Sequence, residues 1–266
     1  MSTDKLDKVR LGGMALSNGV VVHGPTAWAA AVRSAEGQIK VVSARKRVLA
    51  PGVQQPFLRG PLRLLEAFAF LPELRRRLPE ARLPFERPAV LAVAAASAAT
   101  VQVVRRSPNL SEAAREVLAG ALSLTPALMA LRGGELASYH GAEHVTIGTY
   151  EHDEPRERVH ERCGSHLIGP LLAATGAANI LASRAPANMR GAARIAGSIG
   201  AVGAAVEVFG WMTRNPRHPL SRALARPGQE LQQRLATADP SPEQLEVAEA
   251  ALAACLELEN GDRPTD

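Results

Sequence analysis

Aromatic residues make up only 3% of this 266-residue chain, and cysteine occurs just twice, at Cys163 and Cys255. Two cysteines so far apart exclude a disulfide framework. No dense basic run interleaved with aromatics is present, which argues against nucleic acid as a partner. No glycine-rich loop leads from a strand into a helix, so nucleotide binding lacks its usual phosphate cradle. Ser138 and Ser165 sit in no recognisable nucleophile elbow. The opening residues 1–10 are polar and charged. They contain no apolar core of signal-peptide type, so the N-terminus is expected to stay in the cytoplasm.

Aliphatic residues are plentiful instead. Hydrophobic residues are 46% of the chain, mostly Ala, Leu and Val, and the mean hydropathy is near zero at -0.04. Apolar segments must therefore alternate with polar ones. Four apolar stretches run over 89–104, 117–131, 167–182 and 192–212. A bilayer-spanning helix needs about 20 mostly apolar residues, roughly 17–25. By that measure only the last stretch is long enough, and it holds Arg194 and Glu207. Gly197, Gly200 and Gly203 within it would let a neighbouring helix approach closely, and Trp211 suits an interface. A carboxylate such as Glu207 in a span should have a partner or a function, and Asn179 is a weaker case of the same kind. The alternative is a soluble Ala-rich bundle.

Residues 11–48 alternate as strands. Val20–His23 ends at the Gly24-Pro25 breaker, and Trp28–Arg33 and Gln38–Ser43 flank a short link, Ala35-Glu36-Gly37, that suits a hairpin. Pro51, Gly52 and Pro56 mark a loop. Residues 61–80 have helical spacing interrupted by Pro72, followed by the basic cluster Arg75-Arg76-Arg77. Near the end, Ser241-Pro242-Glu243-Gln244 has a capping serine, proline at the first helical position and Gln where a capping box needs it. The helix it opens should run to about Glu259, with Leu245, Ala248, Leu252 and Leu256 on one face. The expected fold is mainly α, with a small N-terminal β-hairpin region and a helical bundle of about four membrane-associated helices. Its parts are a β-containing region (1–60), a helical, membrane-embedded domain carrying the chemistry (61–220) and a soluble helical tail (221–266).

That chemistry concentrates in one window. Five of the seven histidines lie there: His140, His144, His152, His160 and His166. Cys163, Glu143, Glu151 and Asp153 share the window. His140 and His144 stand one helical turn apart on one face, a spacing that lets two imidazoles bind one ion. Glu143 sits near that face, where it can take a proton from a metal-bound water, and His140-Gly141-Ala142-Glu143-His144 fits the H-x-x-E-H pattern. His160, Cys163 and His166 are further candidate ligands, and Arg162 can bind an anionic group. The expected ion is divalent, in the first place zinc. A hydrogen-bonded histidine network joining two helices is the non-metal alternative.

Several motifs in order resemble the YqhQ-like bacterial membrane proteins: Gly12-Gly13 to Gly24-Pro25, Pro56-Phe57-Leu58-Arg59-Gly60, Tyr139–His144, His160–Gly164 and Gln244–Ala248. That resemblance implies a membrane protein and a metal-dependent enzyme of unassigned reaction, with His140, Glu143, His144, His160, Arg162 and Cys163 matching the family pattern. Glu207 resembles the family's Glu in a later Ser-Tyr-Glu stretch. The chain departs from the pattern at Met14, Asn18 and His23, where the family often has Gln, Glu and Arg. Ser165-His166 replaces Thr-Ser-Phe, which brings His166 forward as a ligand.

The expected function is a metal-dependent membrane hydrolase with Glu143 and Arg162 as its catalytic side chains. Its partners are the lipid bilayer and an unidentified substrate, not nucleic acid. Two alternatives stand beside it: a membrane scaffold or assembly factor with a structural metal, and a soluble helical binding protein. Four spans place both termini and the site-bearing loop on one side. Arg75–Arg77 makes that side the cytoplasm, whereas Arg105, Arg106, Arg184 and Arg190 pull the other way.

Overall fold

A computed structural model of the chain describes residues 8–47, 53, 55, 62, 65–66, 68–131 and 134–261. The loop expected at Pro51, Gly52 and Pro56, the motif 56–60 and much of the helical stretch expected from 61 lie outside the described residues. The N-terminal region is more than a hairpin. It is a four-stranded antiparallel meander of β1 (Gly12–Leu16), β2 (Gly19–His23), β3 (Ala27–Arg33) and β4 (Ile39–Arg45). β2 and β3 pair from Gly19↔Val32 to His23↔Trp28, and β3 and β4 from Ala27↔Arg45 to Arg33↔Ile39. Gly37 takes the left-handed conformation (φ 83°) that closes the second of these hairpins.

Side chains alternate across a strand, so the sheet has two faces, and both are covered. Leu16, Val21, Trp28, Ala30 and Val32 face one side, where Phe70, Leu74, Leu78, Ala81 and Leu83 pack on them. Leu74 and Leu78 belong to or flank α1 (Leu71–Arg77), which starts with Pro72 in its first turn rather than being broken by it. Trp28 and Phe70 stack at 5.3 Å between ring centroids. Asn18 ties the β1–β2 turn to the chain beyond α1: its Nδ2 donates to the carbonyls of Arg33 and Glu80, and its Oδ1 accepts from the Arg82 amide.

The other face, with Val20, Val22, Ala29 and Ala31, packs on two helices. These are α4 (Gly134–His152), through Leu136, Tyr139, Ala142 and Ile147, and α8 (Pro242–Asn260), through Val247, Ala248, Ala251 and Cys255. One apolar core thus joins the N-terminal sheet, α4 and α8. The capping box expected at Ser241 and Gln244 is present, with both reciprocal bonds. The buried stripe of α8 differs from the expected one: Val247, Ala251 and Cys255 are enclosed with Ala248, while Leu245, Leu252 and Leu256 lie at its edges. Small side chains let the helix settle closely on the alanines of β3, and the leucines fill the margins. Glu259, at the far end of α8, accepts hydrogen bonds from the amides of Thr26 and Ala27 and from the Thr26 hydroxyl. Gly24 leaves the room its carboxylate needs.

The remaining helices are α2 (Pro88–Arg106), α3 (Glu112–Leu131), α5 (Ile168–Ser183), α6 (Arg190–Arg214) and α7 (Pro219–Leu231). Among the described residues four helices are long and apolar enough to cross a membrane, in line with the expected bundle of about four although composition marks only one stretch as long enough: 88–106, 114–131, 164–183 and 190–214. Helical ends and a preceding 3-10 turn lengthen the apolar stretches beyond what their composition marks. Between 11% and 28% of the residues in these windows are buried, and Leu91, Val103, Val117, Leu181, Ile195 and Ile199 face outward. A soluble bundle would turn those side chains inward. At the bundle end far from the sheet, Glu116 of α3 accepts from Asn179 of α5 at 2.9 Å and from Arg194 of α6 at 3.1 Å, with Arg105 of α2 at 3.5 Å. Asn179 therefore has the partner its position calls for.

Candidate metal centre

The centre is built on α4. Its two faces do different work: Leu136, Tyr139 and Ile147 go to the sheet, while His140 and His144 go to a layer formed by residues 156–167 and 232–239. Gly141 permits this, because a Cβ there would stand 2.0 Å from the Ala238 carbonyl. The Ala238 amide in turn donates to the Ala137 carbonyl at 2.9 Å.

Each imidazole is oriented by a backbone carbonyl. His140 Nδ1 lies 2.8 Å from the Ala236 oxygen, and His144 Nδ1 lies 2.7 Å from the Arg158 oxygen. A carbonyl can only accept, so both Nδ1 atoms carry a proton and both Nε2 atoms are turned toward Glu143. Metal-binding histidines are commonly held by such outer hydrogen bonds. The two rings are 4.4 Å apart, and Cys163 Sγ lies 3.6 Å from His140 Nε2. One donor atom from each of His140, His144 and Cys163 lies within 4.8 Å of the other two. Tetrahedral zinc with its usual N and S bond lengths separates such ligand atoms by roughly 3.5 Å. The donor types are those that zinc takes, and the 4.8 Å bound on their separation is wider than one tetrahedral ion requires.

Glu143 completes the centre. Its Oε2 stands 3.8 Å from His140 Nε2 and 3.7 Å from His144 Nε2. The carboxyl lies against Gly13 of β1, where a Cβ would come within 2.3 Å of Oε1. Burial raises the Glu143 pKa to about 8, an effect that His140 opposes and Cys163 reinforces. Burial, helped by His140, pushes His144 down to about 2. Burial also raises the Cys163 thiol. Burial thus disfavours the charged forms of Glu143, His144 and Cys163, and a cation among them would favour the carboxylate and the thiolate.

Not every expected ligand joins the group. His160 has its ring 5.5 Å from that of His144, but its Nε2 is 3.2 Å from Glu151. Arg162 also pairs with Glu151. His166 Nδ1 is 3.5 Å from the Gln232 amide nitrogen. Gln232 is fully buried and has no sequence signal. It receives the His160 amide on its Oε1 at 2.9 Å, and its Nε2 donates to Ser165 Oγ at 2.7 Å. It pins the loop that delivers Cys163. Arg158 fastens the same layer through the Thr237 carbonyl at 2.6 Å and Asp239 at 2.9 Å.

Fold and site together define a chain with, among the described residues, four helices fit to cross a membrane, and a His-His-Cys-Glu cluster in which His144 and Glu143 are buried and His140 and Cys163 half-buried. A family model described as a protein of unknown function (DUF1385) matches residues 135–258, which takes in the whole cluster, α4 but for Gly134, and α8 up to Leu258. No curated protein and no solved structure matches the chain.

Proposed function

We propose that this protein is an integral cell-membrane metalloenzyme, a hydrolase that uses zinc held by His140, His144 and Cys163. With four crossings, the sheet, α4 and α8 share one side of the membrane, and the Arg75–Arg77 cluster supports the cytoplasm as that side. One observation carries the reading: two carbonyl-oriented Nε2 atoms and a cysteine sulfur converge beside a buried carboxylate. Imidazole and thiolate together suit zinc. A zinc ion so held supplies a Lewis acid that acidifies water and polarises an oxygen of the substrate. His140 and His144 keep their Nδ1 protons on Ala236 and Arg158, so their Nε2 lone pairs stay available. Glu143, at Oε2, accepts the proton from the attacking water and returns it to the leaving group.

A second reading makes the site structural. Glu143 Oε2 is nearly equidistant from both Nε2 atoms, the position of a fourth ligand, and a closed four-ligand site has no room for substrate. Elemental analysis of the full chain purified in mild detergent separates the readings. The hydrolase requires zinc in the wild type, loss of zinc in His140→Ala and Cys163→Ala, and retention in Glu143→Gln. Loss of zinc in Glu143→Gln makes Glu143 a ligand and supports the scaffold. No zinc in the wild type overturns both.

A further inference from the structure

Beside the metal centre lies a cavity of about 1210 Å³. Its wall includes His160, whose ring faces His144, and His166, at the start of the apolar 164–183 helix. Phe209, Met212 and Thr213, at the end of the 190–214 helix, form another part. The cavity therefore sits where two of the membrane-competent helices end, at the level where lipid headgroups meet water. Trp211, in the same turn of α6, suits that depth.

The charge lining the cavity is unbalanced. Lys8, Arg10, Arg156, Arg162, Arg222 and Arg226 face three acidic side chains, Glu151, Glu157 and Glu161. Lys8, Arg156 and Arg162 are paired, with Asp153, Glu154 and Glu151. Among the described residues, Arg10, Arg222 and Arg226 have no carboxylate partner. Arg222 and Arg226 stand four apart on α7, so their guanidinium groups can reach the same anion. Arg10 lies near enough to Arg162 to add to the lowering of its pKa, behind the larger effect of burial. Like charges gathered beside apolar helix ends complement a ligand with a phosphate head and an apolar tail.

We infer that this cavity binds the phosphate headgroup of an anionic amphiphile, with Arg222, Arg226 and Arg10 on the phosphate and the tail along Phe209 and Met212. As a statement of substrate class this rests on the metalloenzyme reading, because the bound headgroup then lies against the His160 and His166 side of the centre. As a binding site it stands without the metal.

The test is calorimetric titration of the zinc-loaded full chain, in uncharged detergent, with dihexanoyl phosphatidic acid, dihexanoyl phosphatidylcholine and inorganic phosphate. Phosphatidic acid should bind about tenfold or more tightly than either of the others, since one lacks net charge and the other lacks a tail. The Arg222→Gln/Arg226→Gln chain should lose about tenfold in that affinity while keeping its zinc. Equal binding of phosphatidylcholine removes the role of charge, and equal binding of inorganic phosphate makes the site a free-phosphate site; either overturns the inference. So does unchanged affinity in the double variant. Both arginines are exposed, and the ligand comparison in the wild type decides the matter even if that variant does not fold. A His140→Ala chain that still binds phosphatidic acid, beside a wild type without zinc, would sink the metalloenzyme reading and leave the lipid site standing. A zinc-loaded chain that binds no phosphatidic acid would do the reverse.

Discussion

Replacing Glu143 by Gln should stabilise the zinc-free protein at neutral and alkaline pH. The carboxyl is 6% exposed, and its pKa rises from 4.5 to about 8 on folding. A raised acid pKa means that the folded state holds the proton more tightly than the unfolded one. Its stabilising effect is complete below pH 4.5 and is lost progressively as the pH climbs through 4.5 to 8. At about 1.4 kcal/mol per unit, the wild type forfeits on the order of 3 kcal/mol by pH 7 and 5 kcal/mol above pH 8 relative to acid conditions. Glutamine has the same shape and no proton to lose, so it escapes this penalty. For a chain of this size, 3 kcal/mol corresponds to roughly 6–12 °C in the unfolding midpoint. The assay is thermal unfolding of both chains in detergent with a chelator, from pH 5 to 8.5. The variant should gain on the wild type as the pH rises, and zinc added to the wild type should erase the difference by placing a dication beside the carboxylate. A variant no more stable than the wild type at pH 8 in chelator would refute the reasoning, because the carboxylate would then have compensation that the geometry lacks.

Three further outcomes test other joints of the structure. Gly13→Ala would put a methyl 2.3 Å from the Glu143 Oε1; it should destabilise the protein by about 1–3 kcal/mol by overpacking, and calorimetry should find weaker zinc binding. Glu259→Ala strands the amides of Thr26 and Ala27 and should cost about 2–4 kcal/mol, read as a lower midpoint of thermal unfolding. Ser241→Ala removes one half of the α8 capping box and should cost about 1 kcal/mol in the same measurement, with zinc content unchanged.

Patterns of local origin were legible in the sequence. His140, Glu143 and His144 could be placed on one helix because their spacing is a property of any helix. The capping box of α8 is set within four residues. The apolar stretches were visible as composition, although their helical lengths were underestimated because polar and basic ends such as Arg105 and Arg106 continue the same helix. What was hidden depends on partners distant in the chain. His160 and His166 have the chemistry of ligands, yet Glu151 and Gln232 engage them, and nothing local marks Gln232 as the residue that organises the loop. Gly13 and Gly24 were recognisable as a motif, but the reason for them lies in Glu143 and Glu259, both far along the chain. The buried stripe of α8 follows from the alanines of β3, which its own periodicity could not reveal.

The sharing of one core by the sheet, α4 and α8 has a consequence for how the protein is made. The four strands precede the apolar helices along the chain, but α4 covers only part of one face of their sheet, and the rest stays open until α8 is synthesised, after those helices. The cluster on α4 is likewise open until the segment 232–239 arrives to orient His140. The nascent chain thus carries a partly covered aliphatic sheet face while the four apolar helices are being made. Assembly of the cluster around His140 and His144 becomes a late event in biosynthesis, so truncation before residue 242 should leave a chain open to aggregation and proteolysis.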